Sequence, residues 1–161
     1  SGRRPRLGYS QATSLRRRGR ERRLSSAPVR VYLCRHAKAG PGEPDAEREL
    51  TGKGRRQAAD LGTRLASLSE PPVVVLSSPL VRARQTAELI ASATRAPLEI
   101  ERRIAPGATL EELRDAVAGR DGPVATVGHQ PDCSEIAFAV TGVDPGFSPG
   151  AMAQLDVEPA P

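Results

Sequence analysis

The stretch Val31-Tyr32-Leu33-Cys34-Arg35-His36-Ala37-Lys38-Ala39-Gly40 decides how this chain folds. Its first half is apolar and partly β-branched, it is too short for a helix, and proline and a second glycine follow directly. These features predict a buried β-strand that ends in an arginine and a histidine. In open α/β sheets, ligands bind beyond the carboxyl ends of the strands. The strand therefore places Arg35 and His36 where a site is expected.

A second stretch repeats this arrangement. Val124-Ala125-Thr126-Val127-Gly128-His129-Gln130-Pro131 is again a run of small and apolar residues that ends in a histidine, and the chain has only two histidines. An imidazole can act as a nucleophile, as an acid or base, or as a metal ligand, and a guanidinium offers paired donors to phosphate or carboxylate. One Arg-His pair alone could be a solvated loop. Two histidines that both follow strands indicate a shared site.

A third segment predicts a helix that binds an anion. Val73-Val74-Val75-Leu76 is typical of a fully buried strand parallel to the first, and Ser77-Ser78-Pro79 leads from it into a helix with two arginines. Proline fits the first turn of a helix, where free N–H groups favour an anion. Arg82 lies in that turn, whereas Arg84 lies about 200° further around the helix and should point elsewhere.

Helices and strands alternate through the rest of the chain. The hydrophobic spacing and the capping residues predict a helix over 51–68, a short strand near 98–101, a helix from Thr109, a further helix after His129 and an edge strand over 152–157. Asp132, with Glu135 three residues later, is assigned to a helix cap rather than to acid catalysis. The sequence contains no metal-ligand spacing and no glycine-rich nucleotide loop, so we expect neither a metal nor a cofactor.

Three motifs together resemble the signatures of the histidine phosphatase superfamily, and specifically its SixA-type phosphohistidine phosphatases. The motifs are Leu33-Cys34-Arg35-His36-Ala37, Ser77-Ser78-Pro79-Leu80-Val81-Arg82-Ala83-Arg84-Gln85-Thr86-Ala87 and Gly128-His129-Gln130-Pro131. The resemblance covers about residues 29 to 157 and departs mildly at Ala37, where the family usually has glycine. It implies an α/β fold of the phosphoglycerate mutase-like type, with three α/β/α layers, a mostly parallel central sheet and no lid insertion.

The same resemblance implies roles for five residues. His36 is expected to be the nucleophile, forming a phosphohistidine intermediate that water hydrolyses, while Arg35, Arg82 and His129 complete the catalytic set and bind the phosphate. Arg48 precedes a Leu-Thr turn that resembles the one in SixA-type enzymes, and it is expected to join the phosphate pocket; a plain surface charge is the alternative. The clustered positive charge should lower the pKa of His36 and keep it neutral.

The leaving group separates the substrate classes. An alkoxide needs a proton donor as it leaves, whereas the imidazole of phosphohistidine is much less demanding. Mutase-like relatives place a glutamate donor after the Arg82 helix, and Pro106 occupies that place here. We therefore predict a phosphatase that acts on a phosphohistidine-bearing protein and holds phosphate or another oxyanion in its site. The alternatives are a small-molecule phosphomonoesterase of the same superfamily and a nucleic-acid-binding protein driven by its N-terminal tail.

That tail carries the positive charge of the protein. Residues 1–30 contain ten arginines and one acid, a net charge of +9, whereas the remaining 131 residues carry 14 basic and 18 acidic side chains, a net charge of −4. The composition predicts a basic, disordered tail over 1–28, followed by a histidine phosphatase domain over 29–158. The tail could bind nucleic acid by neutralising phosphates, but it offers only Tyr9 for stacking, so we favour a solvated extension.

Composition bounds the remaining properties. The 161 residues predict one domain, and the four aromatic residues predict an aliphatic core. No run approaches the roughly 20 apolar residues of a membrane span, and no apolar segment of a secretory signal is present. We therefore expect a cytoplasmic monomer that does not bind membranes. Cys34 and Cys133 are expected to be free thiols.

Overall fold

A computed structural model of the chain describes residues 27–161. Within them, five strands form one sheet: β1 (Val29–Arg35), β2 (Val74–Ser77), β3 (Leu98–Ile100), β4 (Val124–Gly128) and β5 (Met152–Val157). The strand order is β3-β2-β4-β1-β5. The first four strands are parallel to their neighbours, and β5 pairs with β1 in the antiparallel direction at the sheet edge. The predicted α/β class with a mostly parallel sheet is confirmed.

In the described part of the chain, four α-helices cover the two faces of this sheet. They are α1 (Gly52–Ala66), α2 (Val81–Thr94), α3 (Leu110–Val117) and α4 (Asp132–Thr141). Short 3-10 helices over Asp45–Glu47 and Arg102–Ile104 lie in the connections. The helix predicted over 51–68 thus begins where expected and ends slightly earlier.

Alternating residues of β1 divide the core into two layers. Val31 and Leu33 pack in one buried apolar cluster with side chains of α3 and α4, whereas Tyr32 and Cys34 pack in a second cluster with side chains of α1 and α2. A strand that is buried on both faces has no polar face, and this explains the continuous apolar run in the sequence. The three-layer α/β/α arrangement is therefore confirmed.

Helix α1 begins directly against the loop that follows β1. The backbone N–H of Thr51 donates to the Lys38 carbonyl at 3.0 Å, and the Thr51 hydroxyl accepts from the Gly54 N–H at 3.0 Å. A Cβ atom on Gly54 would lie only 2.0 Å from the Lys38 carbonyl oxygen. Only glycine permits this approach, so the start of α1 fixes the loop two residues beyond His36.

The remaining sequence predictions have mixed outcomes. Cys34 and Cys133 are free and buried, as expected. Among residues 27–161, no helix is both long enough and apolar enough to cross a membrane. The predicted tail lies almost wholly outside the described residues, and the boundaries of the predicted domain stay a prediction.

Candidate active site

The carboxyl ends of β1, β2 and β4 meet at one edge of the sheet. β4 lies between the other two strands, with Gly128 opposite Arg35 and Val127 opposite Ser77. The pairing of β1 with β4 continues one residue past the end of β1, where the His36 N–H donates to the Gly128 carbonyl at 3.0 Å. The ring centroids of His36 and His129 are consequently only 5.3 Å apart, with the two rings tilted by 57°. The structure therefore brings the two histidines of the sequence together at this edge of the sheet.

His36 is held in a defined tautomer. Its Nδ1 lies 2.7 Å from the Ala37 carbonyl oxygen. A carbonyl can only accept a hydrogen bond, so Nδ1 carries the proton and Nε2 keeps its lone pair. Within the described part of the chain, Nε2 makes no hydrogen bond. An imidazole in this state is suited to act as a nucleophile.

The backbone of Ala37 is also held by helix α2. Its N–H donates to the Thr86 hydroxyl at 3.0 Å, and that hydroxyl donates to the Arg82 carbonyl at 2.8 Å. Thr86 is fully buried. The first two turns of α2, which carry Arg82 and Thr86, thereby fix the backbone of Ala37 next to the nucleophile candidate.

Burial is the main reason that His36 is neutral. The pKa of His36 is lowered from its usual 6.5 to about 4, mainly by burial; the Ala37 hydrogen bond opposes this shift, and the charges of Arg82, Arg35 and Arg48 contribute to it. The sequence predicted the direction of this shift but attributed it to the arginines. Their charges contribute, but desolvation is the larger cause, because His36 itself is only 9% exposed.

His129 lies opposite, held by a residue that sequence reasoning missed. Its Nε2 is 2.7 Å from the hydroxyl of Ser78, which lies 51 positions earlier in the chain. Its Nδ1 is buried and has no partner within the described residues. Burial, followed by the charge of His36, lowers the pKa of His129 to about 4 as well. The signal in the sequence was the Ser77-Ser78-Pro79 strand end, which reaches the same edge of the sheet.

The structure brings Arg82 and Arg48 together through Asp45. Arg82 donates from Nη1 to the Asp45 backbone carbonyl at 3.0 Å and from Nη2 to the carboxylate at 3.2 Å. Arg48 donates from Nη1 to the other carboxylate oxygen at 3.0 Å and from Nε to the Gly40 carbonyl at 2.9 Å. The side chain of Arg82 is buried, whereas that of Asp45 is largely exposed. Arg48 therefore stands beside Arg82, as expected for a member of the same pocket.

Arg35 completes the group of three arginines. Its Nη1 donates to the Phe147 carbonyl at 2.8 Å, and its Nε is buried without a hydrogen-bond partner in the described residues. Buried donors are normally satisfied, so this unpaired N–H and the unpaired Nδ1 of His129 suit an oxygen-rich ligand. Arg84 is exposed, in agreement with the predicted orientation of its helix face.

The prediction that Asp132 caps a helix is wrong. Helix α4 begins at Asp132 itself, with Pro131 at the N-cap position and no side-chain cap. The Asp132 carboxylate instead accepts hydrogen bonds from the N–H groups of Gly107 and Ala108, at 2.9 and 3.2 Å. The sequence pattern described a local contact, but the loop that contains Pro106 presents its N–H groups to the carboxylate from about 25 positions away. Asp132 is buried, and its carboxylate is engaged in hydrogen bonds to the backbone.

Comparison with known proteins identifies the family. The family described as the histidine phosphatase superfamily (branch 1) matches residues 31–109. A solved structure from Agrobacterium tumefaciens, assigned as the phosphohistidine phosphatase SixA, is 31% identical, with a TM-score of 0.70 over 81% of this chain and 93% of that chain. The chain belongs to the histidine phosphatase superfamily. It is by class a phosphatase, a hydrolase.

Other similarities agree with this membership. A protein of Picosynechococcus sp. with uncharacterized function is 37% identical over 126 residues, which is 71% of this chain and 76% of that protein. A structure of the protein histidine phosphatase SixA complexed with tungstate has a TM-score of 0.68 at 22% identity, covering 78% of this chain and 86% of that chain, and supports the fold alone. Among residues 27–161, no group of three or more histidine, cysteine or acidic side chains is arranged to hold a metal ion.

Proposed function

We propose that this phosphatase removes the phosphoryl group from phosphohistidine on a protein, through a phosphohistidine intermediate on His36. The observation that carries the proposal is the state of His36, whose Nε2 keeps its lone pair beside His129 and three arginines. Within residues 27–161, no carboxylate in contact with this group of residues is free to donate a proton, and this favours a leaving group that needs little protonation.

In the first step, Nε2 of His36 attacks phosphorus and the bond from phosphorus to the leaving group breaks. The Nδ1–H keeps its hydrogen bond to the Ala37 carbonyl. This hydrogen bond stabilises the positive charge that the ring acquires. Charge on the three equatorial oxygens is stabilised by donors of Arg35, Arg82 and His129, with Arg48 at the rim. In the second step, water attacks the phosphohistidine, and inorganic phosphate leaves as His36 regains its lone pair.

The carboxylates around the site support a leaving group that needs little protonation. Arg82, with Arg48, lowers the pKa of Asp45, so this carboxylate is ionised and carries no proton to donate. Asp132 accepts two backbone hydrogen bonds. Pro106, where we place the glutamate donor of mutase-like relatives, has no proton to give. An alkoxide would leave slowly from such a site, and an imidazole would leave readily.

The substrate class can be tested by comparing three phosphoryl compounds under one buffer condition. The value of kcat/KM for a phosphohistidine peptide should exceed that for a sugar phosphate at least about a hundredfold, because general acid catalysis contributes about 10² to 10⁴-fold. p-Nitrophenyl phosphate, whose leaving group needs little protonation, should fall between them. His36→Ala should abolish all three activities while the thermal midpoint of unfolding is retained.

Two results would contradict this proposal. Activity of His36→Ala above a tenth of wild type would remove His36 as the nucleophile. Hydrolysis of the sugar phosphate as fast as the phosphohistidine peptide, with loss of that activity in Asp132→Asn, would identify Asp132 as a proton donor and the protein as a small-molecule phosphomonoesterase.

A further inference from the structure

Asp45 contacts two of the site arginines at once. One carboxylate oxygen accepts from Arg48, the other accepts from Arg82, and the backbone carbonyl of the same residue accepts from Arg82 again. Both Nη atoms of Arg82 are therefore held by one residue, and this fixes the plane of the guanidinium group. The side chain of Asp45 is 64% exposed and that of Arg82 is 9% exposed, so the carboxylate lies at the rim and the guanidinium lies beneath it.

These contacts leave the arginines with donors to spare. A guanidinium carries five N–H groups. Arg82 uses two of them on Asp45, and Arg48 uses one on Asp45 and one on the Gly40 carbonyl. Three N–H groups on each arginine have no partner in the described residues. An oxyanion can therefore bind to both arginines without displacing the carboxylate.

The charge of the group also favours a carboxylate that stays in place. The three arginines contribute three positive charges and Asp45 contributes one negative charge, while burial keeps His36 and His129 neutral. The net charge of +2 matches a phosphoryl dianion. Without Asp45, an excess charge would remain, and the buried guanidinium of Arg82 would lose its fixed partner.

We propose that Asp45 is a positioning residue, which holds the guanidinium groups of Arg82 and Arg48 in one orientation and remains bound to them while the phosphoryl group is in the site. The inference rests on the proposed function in taking a phosphoryl group as the ligand. Fixed donors stabilise the transition state because they need no reorganisation as charge develops. Asp45 therefore acts on the rate of the reaction through the arginines, without touching the substrate.

The test compares Asp45→Ala with Glu47→Ala in the full chain. Glu47 lies in the same 3-10 helix, is exposed and has no ion pair within the described residues, so its removal changes the charge of the rim by the same amount. With p-nitrophenyl phosphate, Asp45→Ala should lower kcat about 10- to 100-fold, since displacing a catalytic group by about 1 Å lowers the rate on that scale. KM should change much less, because the additional positive charge offsets the lost geometry in the ground state. Glu47→Ala should change neither constant appreciably.

Two further measurements separate positioning from a loss of folding. The kcat loss caused by Asp45→Ala should disappear in a background that lacks both Arg48 and Arg82, since a residue that acts through two others adds nothing once both are gone. Asp45→Asn, which keeps the backbone carbonyl and one acceptor oxygen, should lose less than Asp45→Ala and provides the test if the alanine variant does not fold. Thermal unfolding identifies variants that are folded.

Tungstate binding, measured by calorimetry, distinguishes positioning from competition and needs no turnover. If Asp45 competes with the phosphoryl group for the arginines, Asp45→Ala will bind tungstate at least about tenfold more tightly and retain its kcat, and the proposal is wrong. Equal kcat losses in Asp45→Ala and Glu47→Ala, or a loss that persists when both Arg48 and Arg82 are replaced by alanine, would also overturn it. These results do not depend on the natural leaving group, whereas failure of the proposed function would appear as wild-type protein without preference for phosphohistidine.

Discussion

Acid should protonate His36 and His129 only near pH 4, far below the usual range of histidine. Burial lowers the pKa of each ring from 6.5 to about 4, and the neighbouring charges act mainly in the same direction. The active form of His36 has a neutral ring, since a protonated Nε2 has no lone pair. We therefore expect almost all of the enzyme to keep a competent nucleophile between pH 5 and 7.

The same shifts make stability depend on pH. A fall of about 2.5 in the pKa corresponds to about 3 kcal/mol for each histidine, at about 1.36 kcal/mol per unit. As the pH falls below 6.5, the unfolded chain binds protons that the folded chain does not. The free energy of unfolding should thus keep its full value above about pH 6.5 and decrease between pH 6.5 and about 4. Below about pH 4, these two histidines should cause no further decrease.

Nuclear magnetic resonance can measure both pKa values directly. The chain contains only two histidines, so its imidazole signals form two sets, and His36→Gln assigns them. Titration of the folded protein should give midpoints near 4 for both rings, and urea unfolding should show lower stability at pH 4.5 than at pH 7. Midpoints near 6.5 would refute the reasoning, because they would mean that the rings are hydrated and that the site is not closed around them.

Three other changes test particular contacts. Arg82→Ala should lower kcat/KM about a hundredfold or more, a loss of about 3 kcal/mol of transition-state stabilisation. Arg84→Ala should have little effect, because Arg84 is exposed. Equal losses in the two variants would contradict the assigned helix face. Ser78→Ala removes the hydrogen-bond partner of His129 and should cost about 1–3 kcal/mol of unfolding free energy as well as activity. Ser78→Thr keeps a hydroxyl and should retain more of both. An unchanged kcat in Ser78→Ala would show that this hydrogen bond does not orient the ring. Deletion through Ala27 should leave hydrolysis of a small phosphoramidate nearly unchanged and abolish salt-sensitive retention on heparin, whereas a collapse of turnover would mean that the tail contributes to the site.

The main features of the fold and the position of the site were encoded locally in the sequence. The apolar runs before His36 and His129 predicted buried strands, and parallel strands necessarily deliver the residues at their carboxyl ends to one edge of the sheet. The angular spacing of a helix likewise separated Arg82 from Arg84. Such predictions succeed because each depends on periodicity within one element.

Contacts between distant loops were decided only by the tertiary structure. The sequence around Asp132 has the pattern of a helix cap, but its carboxylate accepts from the loop at Gly107, because packing brings those N–H groups within reach. Ser78 was indicated only as part of a strand end and Asp45 not at all, since a serine after a strand and an aspartate in a polar loop are common. Their partners lie 51 and 37 positions away, and only the folded chain sets a distance between them. The pKa of His36 has the same origin, because burial of a ring is a property of everything packed around it.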